Sequence, residues 1–406
     1  MTDAPPSLPL YEIPYLRLFP WLRLFRCPGS AADPKRLLLA AMGILILQAG
    51  WAGLDRVFPE ALTTPGARIG TDTPWKLFPA QGWRVYVHRL QEPAWCVTGP
   101  LMTAFDAATP ARTFAHAALA AVWALVVFGM TGGAIARVAV VNLTRGERVG
   151  VVEAVRFSAG KAVSLLGAPL VPILGVVAVA ALVALVGLLY RVPGQAVAAV
   201  AGALAFLPLV GGLVLALIVV GLAVGWPLMQ ASVAAEAEDG FDAMSRAYAY
   251  VHQRPWHYAA YVAVAVAVGC VGLFFVDLFA GLVVRLSAWA LAFGGPRSTV
   301  LGYYRPTPPT TAVPPAATAA TVAHGFWLAV VGLLARGWVY SYFWTAATAI
   351  YLLLRRDVDG TPWGTIAYES RPSPLSEAAA DPTTGVYAVP APHAPEAAEA
   401  GPGPEV

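Results

Sequence analysis

Six long apolar runs decide what this chain can fold into. They cover residues 37–54, 113–136, 162–189, 195–235, 256–279 and a stretch within 322–354. A helix of about 20 apolar residues crosses the ~30 Å hydrocarbon core of a bilayer. Only 12% of the residues are charged, about half of the ~25% that is usual in soluble domains. Because so few charges cannot cover a water-facing surface, the sequence predicts an all-α integral membrane protein.

The fourth run leaves the number of spans open. Its 41 residues would form ~60 Å of helix, too long for one simple span. One span there puts 15 Lys and Arg residues on the cytoplasmic side and 10 outside, whereas two spans give 13 and 12. Since cytoplasmic loops carry an excess of Lys and Arg, we expect six spans in a bacterial inner membrane, with both termini cytoplasmic.

This topology divides the chain into three regions. Residues 1–36 form a cytoplasmic interfacial segment, residues 37–355 the membrane domain, and residues 356–406 a cytoplasmic segment that is disordered from about residue 371, where Pro, Ala and acidic residues prevail. Too many residues precede the first run for a signal peptide, and no cleavage site follows it. We therefore expect the first span to be retained.

The six spans form three hairpins, and an amphipathic segment precedes each hairpin on the cytoplasmic side. These segments are residues 15–26, 145–161 and 240–253. Arginines beside large apolar residues are typical of helices that lie in the headgroup region and attract anionic lipid. The predicted lipid contacts are Arg17, Trp21, Arg23, Arg148, Arg156, Arg246, Arg254 and Trp256. Asp242 and Arg246 also have the spacing of an ion pair on one helix face.

Two outer loops are long enough to carry structure of their own. Residues 55–112 contain four Trp and Tyr side chains, and we expect a small folded cap there, with a short strand at residues 83–88 as one possibility. Residues 294–320 are rich in Pro and Thr, which favours an extended, unpacked loop.

Asp277 and Arg336 are the charges that matter most, because each falls in or beside a span. A charge at bilayer depth is costly, is usually paired, and marks a candidate functional site. Asp277 lies about 21 residues from the inner start of the fifth span, and Arg336 lies 18 residues from the inner end of the sixth. Both therefore lie toward the outer face and could pair. The pair could be structural or could bind a substrate or proton, or both residues could lie outside the bilayer.

Other chemical signals are few. The histidines lack the spacing of a metal site, and no Ser, Cys or carboxylate stands beside a candidate base in a recognisable catalytic motif. We therefore expect no cofactor, no metal and no enzymatic activity. The basic residues are spread along the chain, which argues against a nucleic-acid partner. The small residues 129–134 could allow close helix packing or could reflect ordinary membrane-helix composition.

Three blocks of sequence carry a resemblance to a known group of proteins. They are residues 237–256 (AEDGFDAMSRAYAYVHQRPW), 19–25 (FPWLRLF) and 350–360 (IYLLLRRDVDG). In these blocks the chain resembles multi-span bacterial membrane proteins of uncharacterised activity that are abundant in planctomycetes. The amphipathic helix that leads into a hairpin is also similar, more distantly, to the membrane domain associated with glycerophosphodiester phosphodiesterases. The resemblance implies a multi-span membrane protein and implies no activity or catalytic residue.

Two functions remain open at this stage. The first is a non-enzymatic organiser of lipid or of a membrane protein partner, which acts through the interfacial arginines. The second is a transporter of a small solute or lipid, which uses Asp277, Arg336 and the interrupted fourth run.

Overall fold

The computed structural model describes residues 19–59, 82–106, 108–304 and 315–367, and these residues form helices joined by short turns. A 3-10 turn (Pro20–Arg26) comes first. The helices are α1 (Cys27–Ala31), α2 (Pro34–Val57), α3 (Arg84–Leu90), α4 (Glu92–Ala104), α5 (Ala111–Arg145), α6 (Val151–Gly160), α7 (Ala162–Gly187), α8 (Gln195–Ala203), α9 (Phe206–Glu236), α10 (Gly240–Gln253), α11 (Pro255–Gly294), α12 (Arg297–Tyr304) and α13 (Pro315–Asp359).

Six helices in the described part of the chain are long and apolar enough to cross a membrane: α2, α5, α7, α9, α11 and α13. They coincide with the six predicted runs, so the all-α membrane fold is confirmed. The fourth run folds as the short helix α8 followed by the single long helix α9. It therefore supplies one candidate span, as the distribution of basic residues favours.

A short helix precedes each pair of long helices: α1 before α2, α6 before α7, and α10 before α11. Local sequence fixes where these helices begin. The Asp33 carboxylate accepts a hydrogen bond from the Lys35 backbone N–H at 2.9 Å and caps α2. Asp239 caps α10 in the same way, and Pro255 occupies the first turn of α11, where its missing N–H costs nothing.

The described part of the predicted outer cap is helical and packs among the long helices. Only Gln91 separates α3 from α4, and its backbone is right-handed helical, so the two helices form one bent stretch, which we call the α3–α4 segment. Helix α3 contacts α11, while α4 packs along α5. A strand at residues 83–88 is therefore wrong, because Arg84–Leu90 is a helix. The loop at residues 294–320 is also less extended than expected, since α12 lies within it. The disorder expected from about residue 371 lies outside the described residues.

One end of the bundle gathers the segments that precede and follow the hairpins. Lys35 Nζ donates to the Val149 carbonyl at 2.9 Å, and Trp363 Nε1 donates to the Leu143 carbonyl at 3.0 Å. Lys161 Nζ donates to the Ala237 carbonyl. We call this the basic end, and it consists of residues 19–33, 146–161, 237–254 and 360–366. The three amphipathic segments thus share one end of the bundle, as six spans require.

Close approach of the helices depends on small residues in α5. Trp344 packs edge-to-face on Trp226 with ring centroids 5.1 Å apart and lies against Gly132, where an added Cβ would come within 2.4 Å of the Trp344 ring. Gly129 and Gly133 face Leu166 and Leu165 of α7 just as closely. The small residues at 129–134 therefore serve helix packing.

We predict that Gly132→Ala lowers the melting temperature of the detergent-solubilised protein, because the new methyl group overlaps Trp344. Overpacking of this kind costs about 1–3 kcal/mol. Gly212→Ala is the matched control, since Gly212 is also helical and nothing lies within 4 Å of its added Cβ. The control should be neutral or slightly stabilising. Equal melting temperatures for both variants would contradict this packing.

Candidate functional site

Charged side chains at the bend of the α3–α4 segment pair with charges on two of the long helices. Arg89 Nη1 donates to Asp277 Oδ2. Asp277 lies 22 residues after Pro255 and 17 residues before Gly294, so it is near the centre of α11. Its side chain is only 5% exposed. The Arg89–Asp277 pair therefore joins the α3–α4 segment to the fifth span well inside the bundle.

A second ion pair joins the α3–α4 segment to the sixth span. Arg336 Nε lies 3.5 Å from Glu92 Oε1, and Tyr340 Oη donates to the same Glu92 oxygen at 3.4 Å. One turn along α4, Cys96 Sγ lies 3.2 Å from Tyr340 Oη. We call Arg89, Glu92, Cys96, Asp277, Arg336 and Tyr340 the charged cluster. It contains two acids and two bases, so its formal charge is balanced.

The direct pair between Asp277 and Arg336, which the sequence leaves possible, does not form. The two residues belong to one cluster, but Asp277 pairs with Arg89 and Arg336 pairs with Glu92. The physical reason is that the α3–α4 segment brings its own base and acid to these two residues. Helices α11 and α13 are therefore each joined to this segment by an ion pair.

A cavity of about 180 Å³ lies beside the bend between α3 and α4. Leu90 and Gln91 line it from the α3–α4 segment, together with residues of α9, α11 and α13 that include Pro227, Tyr258 and Tyr342. Gln91 is exposed, and Asp277 Oδ1 has no hydrogen-bond partner among the described residues. The charged cluster thus has a balanced formal charge and one carboxylate oxygen, Asp277 Oδ1, without a hydrogen-bond partner in the described part of the chain. The exposed Gln91 lies next to the cluster.

The predicted lipid contacts divide into exposed and engaged residues. Arg148, Arg156, Arg254 and Trp256 are exposed at the basic end, and Trp21 is exposed beside them. Arg23 is half-buried, and its guanidinium stacks 4.1 Å from the Trp363 ring centroid. Arg17 lies outside the described residues.

Arg246 is engaged with acids at the end of α9. It pairs with Glu236, and its Nε lies 3.0 Å from Glu238 Oε2. The expected pair within α10, between Asp242 and Arg246, is therefore replaced by pairs to the preceding segment. Burial raises the pKa of the Glu238 carboxyl group. Glu236 also accepts a hydrogen bond from Arg355 at 3.2 Å, so Arg246 belongs to a structural network that joins α9, α10 and α13.

Sequence reasoning missed Arg89 and Glu92 because both fall in a segment assigned to an outer loop. A signal was present in the apolar residues of α4, which has 13 residues. An apolar stretch of about 10–14 residues is too short to span and is typical of buried or re-entrant segments. Among the described residues, no group of three or more His, Cys, Asp and Glu could hold a metal ion.

A double-mutant cycle can test the pairing in the charged cluster. Asp277→Leu should destabilise the protein by about 3 kcal/mol, because it leaves the Arg89 guanidinium without its acid inside the bundle. Adding Arg89→Leu should restore most of that loss, since two apolar side chains then replace the pair. Unfolding in mixed micelles by denaturant, followed by circular dichroism, measures the effect.

The control for this cycle adds Arg336→Leu to Asp277→Leu. It should cost further stability, because it also breaks the pair with Glu92. Recovery with Arg336→Leu and none with Arg89→Leu would reinstate the direct Asp277–Arg336 pair.

The thiol of Cys27 at the basic end should resist alkylation in the folded protein. Burial raises the pKa of Cys27 to about 12, and the thiolate is the reactive form. We expect no iodoacetamide adduct on Cys27 in native micelles at about pH 8, and rapid labelling after denaturation. Peptide mass spectrometry reads both states, and labelling of native Cys27 at the denatured rate would refute its burial.

Comparison of the chain with protein-family models, curated proteins and solved structures finds no match. The resemblance to planctomycete membrane proteins therefore stays a prediction. What can be said of function is carried by the geometry of the charged cluster and of the basic end.

Proposed function

We propose that this protein is a non-enzymatic membrane protein of the bacterial inner membrane that binds anionic lipid at its basic end. The observation that carries the proposal is the exposure of Arg148, Arg156 and Arg254 at the end where all three amphipathic segments meet. The described residues of this end hold no ion-pair partner for these three guanidinium groups. Each is free to meet a lipid phosphate, which a guanidinium binds in a fork geometry.

Apolar side chains beside these arginines support a position in the headgroup region. Trp256 is 84% exposed and adjoins Arg254, and Val152 and Val155 are exposed on the same short helix as Arg156. Phe25 and Phe241 are exposed on the other two amphipathic segments. A surface that mixes exposed aromatic and aliphatic groups with arginine suits the boundary between headgroups and acyl chains.

The engaged arginines refine the original set of lipid contacts. Arg246 pairs with Glu236 and Arg23 stacks on Trp363 within the protein, so we assign both to holding the amphipathic segments in place. This division supports a rigid lipid-binding surface, because the structural arginines fix the helices that carry the exposed ones. A membrane protein partner that organises around this surface is compatible with the same geometry.

Transport is the second candidate function, and the charged cluster favours it. A helical segment interrupted inside the bundle, with charges at its bend and a cavity beside it, has features of substrate sites in transporters. Flux through proteoliposomes that carry Asp277→Asn, compared with the unchanged protein, separates the two functions. The lipid-binding function predicts no flux in either sample.

We predict that the triple variant Arg148→Gln, Arg156→Gln, Arg254→Gln binds phosphatidylglycerol about a hundredfold more weakly. Each base contributes ~1 kcal/mol to binding at an anionic surface, and ~3 kcal/mol is about two powers of ten. Native mass spectrometry of the micelle-held protein, titrated with phosphatidylglycerol and with phosphatidylcholine, measures retained lipid.

The control removes the same charge from exposed arginines elsewhere, with Arg191→Gln, Arg285→Gln and Arg297→Gln. It should retain most of the phosphatidylglycerol that the unchanged protein holds. If both triple variants lose the lipid equally, binding follows net charge alone and the basic end has no special role.

A further inference from the structure

A second apolar depression lies away from the basic end. It is a groove of about 240 Å³ between α4, α5, α7 and α9. Its lining side chains are apolar except for Thr98 and the indole N–H of Trp226. The Thr98 hydroxyl donates to the Ala94 carbonyl of its own helix at 3.0 Å, and the Trp226 N–H is buried without a hydrogen-bond partner among the described residues. The groove therefore exposes almost no polar surface to an occupant.

The groove has a closed floor and an open rim. Val97, Ala121 and Trp226 form the floor and are at most 4% exposed. Met102 and Val177 stand at the rim and are at least 60% exposed. Because three of the four walls are candidate membrane spans, the rim opens sideways into the hydrocarbon of the bilayer.

The length of the groove fits one leaflet. Along α5 it extends from Phe114 to Leu125, a stretch of 12 residues whose first and last Cα atoms are ~16 Å apart along the helix axis. Half of a ~30 Å hydrocarbon core is ~15 Å. An extended hydrocarbon chain that runs parallel to α5 would therefore fill the groove from end to end.

We propose that this groove is a binding site for one acyl chain of a bilayer lipid. Empty space against the floor would forfeit dispersion contacts, and lipid chains are the molecules that surround the spans. A second copy of the protein would have to offer a narrow apolar ridge of matching length, whereas every lipid carries one. The site lies near the α4–α5 turn and needs none of the exposed arginines, so it is independent of anionic lipid binding at the basic end.

Trp226 makes the occupant detectable, because it is buried and lies on the floor. The protein is reconstituted in vesicles of phosphatidylcholine whose acyl chains are brominated, since bromine quenches indole fluorescence on contact. The contribution of Trp226 is the difference between the unchanged protein and Trp226→Phe. We expect this contribution to be strongly quenched relative to vesicles with unbrominated chains.

Two variants fill the groove from different walls: Ala118→Phe on α5 and Ala223→Phe on α9. Each should remove most of the quenching of Trp226. Ala181→Phe is the control, because Ala181 is exposed on α7 and lies outside the groove, and it should leave the quenching unchanged. Two filling variants keep the test open if one of them fails to fold.

Two results would overturn the proposal. Trp226 emission that is the same in brominated and unbrominated vesicles would show that no lipid chain reaches the floor, and a segment of protein would then be the occupant. Quenching that persists in both filling variants would show that chains reach Trp226 by another route. Neither result bears on the phosphatidylglycerol titration, so the two lipid sites stand or fall separately.

Discussion

A charge inside a bilayer requires an opposite charge at the same depth, and this requirement organises the centre of the protein. Asp277 and Arg336 lie on neighbouring long helices, yet neither satisfies the other. The α3–α4 segment brings Arg89 to Asp277 and Glu92 to Arg336. Breaking either pair would leave an uncompensated charge among apolar side chains. The α3–α4 segment thereby links the fifth and sixth spans, and the cavity lies beside its bend.

The long helices could be predicted because span length and apolar composition report directly on the bilayer. The predicted runs begin within three residues of α2, α5, α7 and α11, but α5 continues to Arg145 and α11 to Gly294, well past the predicted ends at residues 136 and 279. The fourth run supplies one span. The sequence also predicts Asp277 and Arg336 at the same level, and the structure brings both into one cluster. Their partners could not be inferred, because α4 is too short to register as a span and Glu92 begins it. Pairing across separate helices depends on tertiary packing, which the pattern of hydropathy does not encode.

The basic end also shows what the sequence pattern cannot predict. All eight lipid contacts are predicted from local composition. Composition does not distinguish an exposed arginine from one that contacts other parts of the protein. Arg23 reaches an aromatic ring near the other end of the chain, and Arg246 reaches acids that precede its own helix. What remains exposed is a smaller surface on fixed helices. This surface and the apolar groove are the two separate places where we propose lipid contacts.

The contacts of α1 with α13 have a consequence for biosynthesis. Ser341 Oγ donates to the Ala31 carbonyl across 310 residues of sequence, and Trp338 bonds to Pro28 across the same distance. At ~5–20 residues per second, the ribosome needs about 15 to 60 s to make that length of chain. The first helix therefore leaves the ribosome long before its partner exists. Until the sixth span is made, the Pro28 and Ala31 carbonyl groups lack these donors, and truncation before the sixth span would leave the start of the chain without its final support.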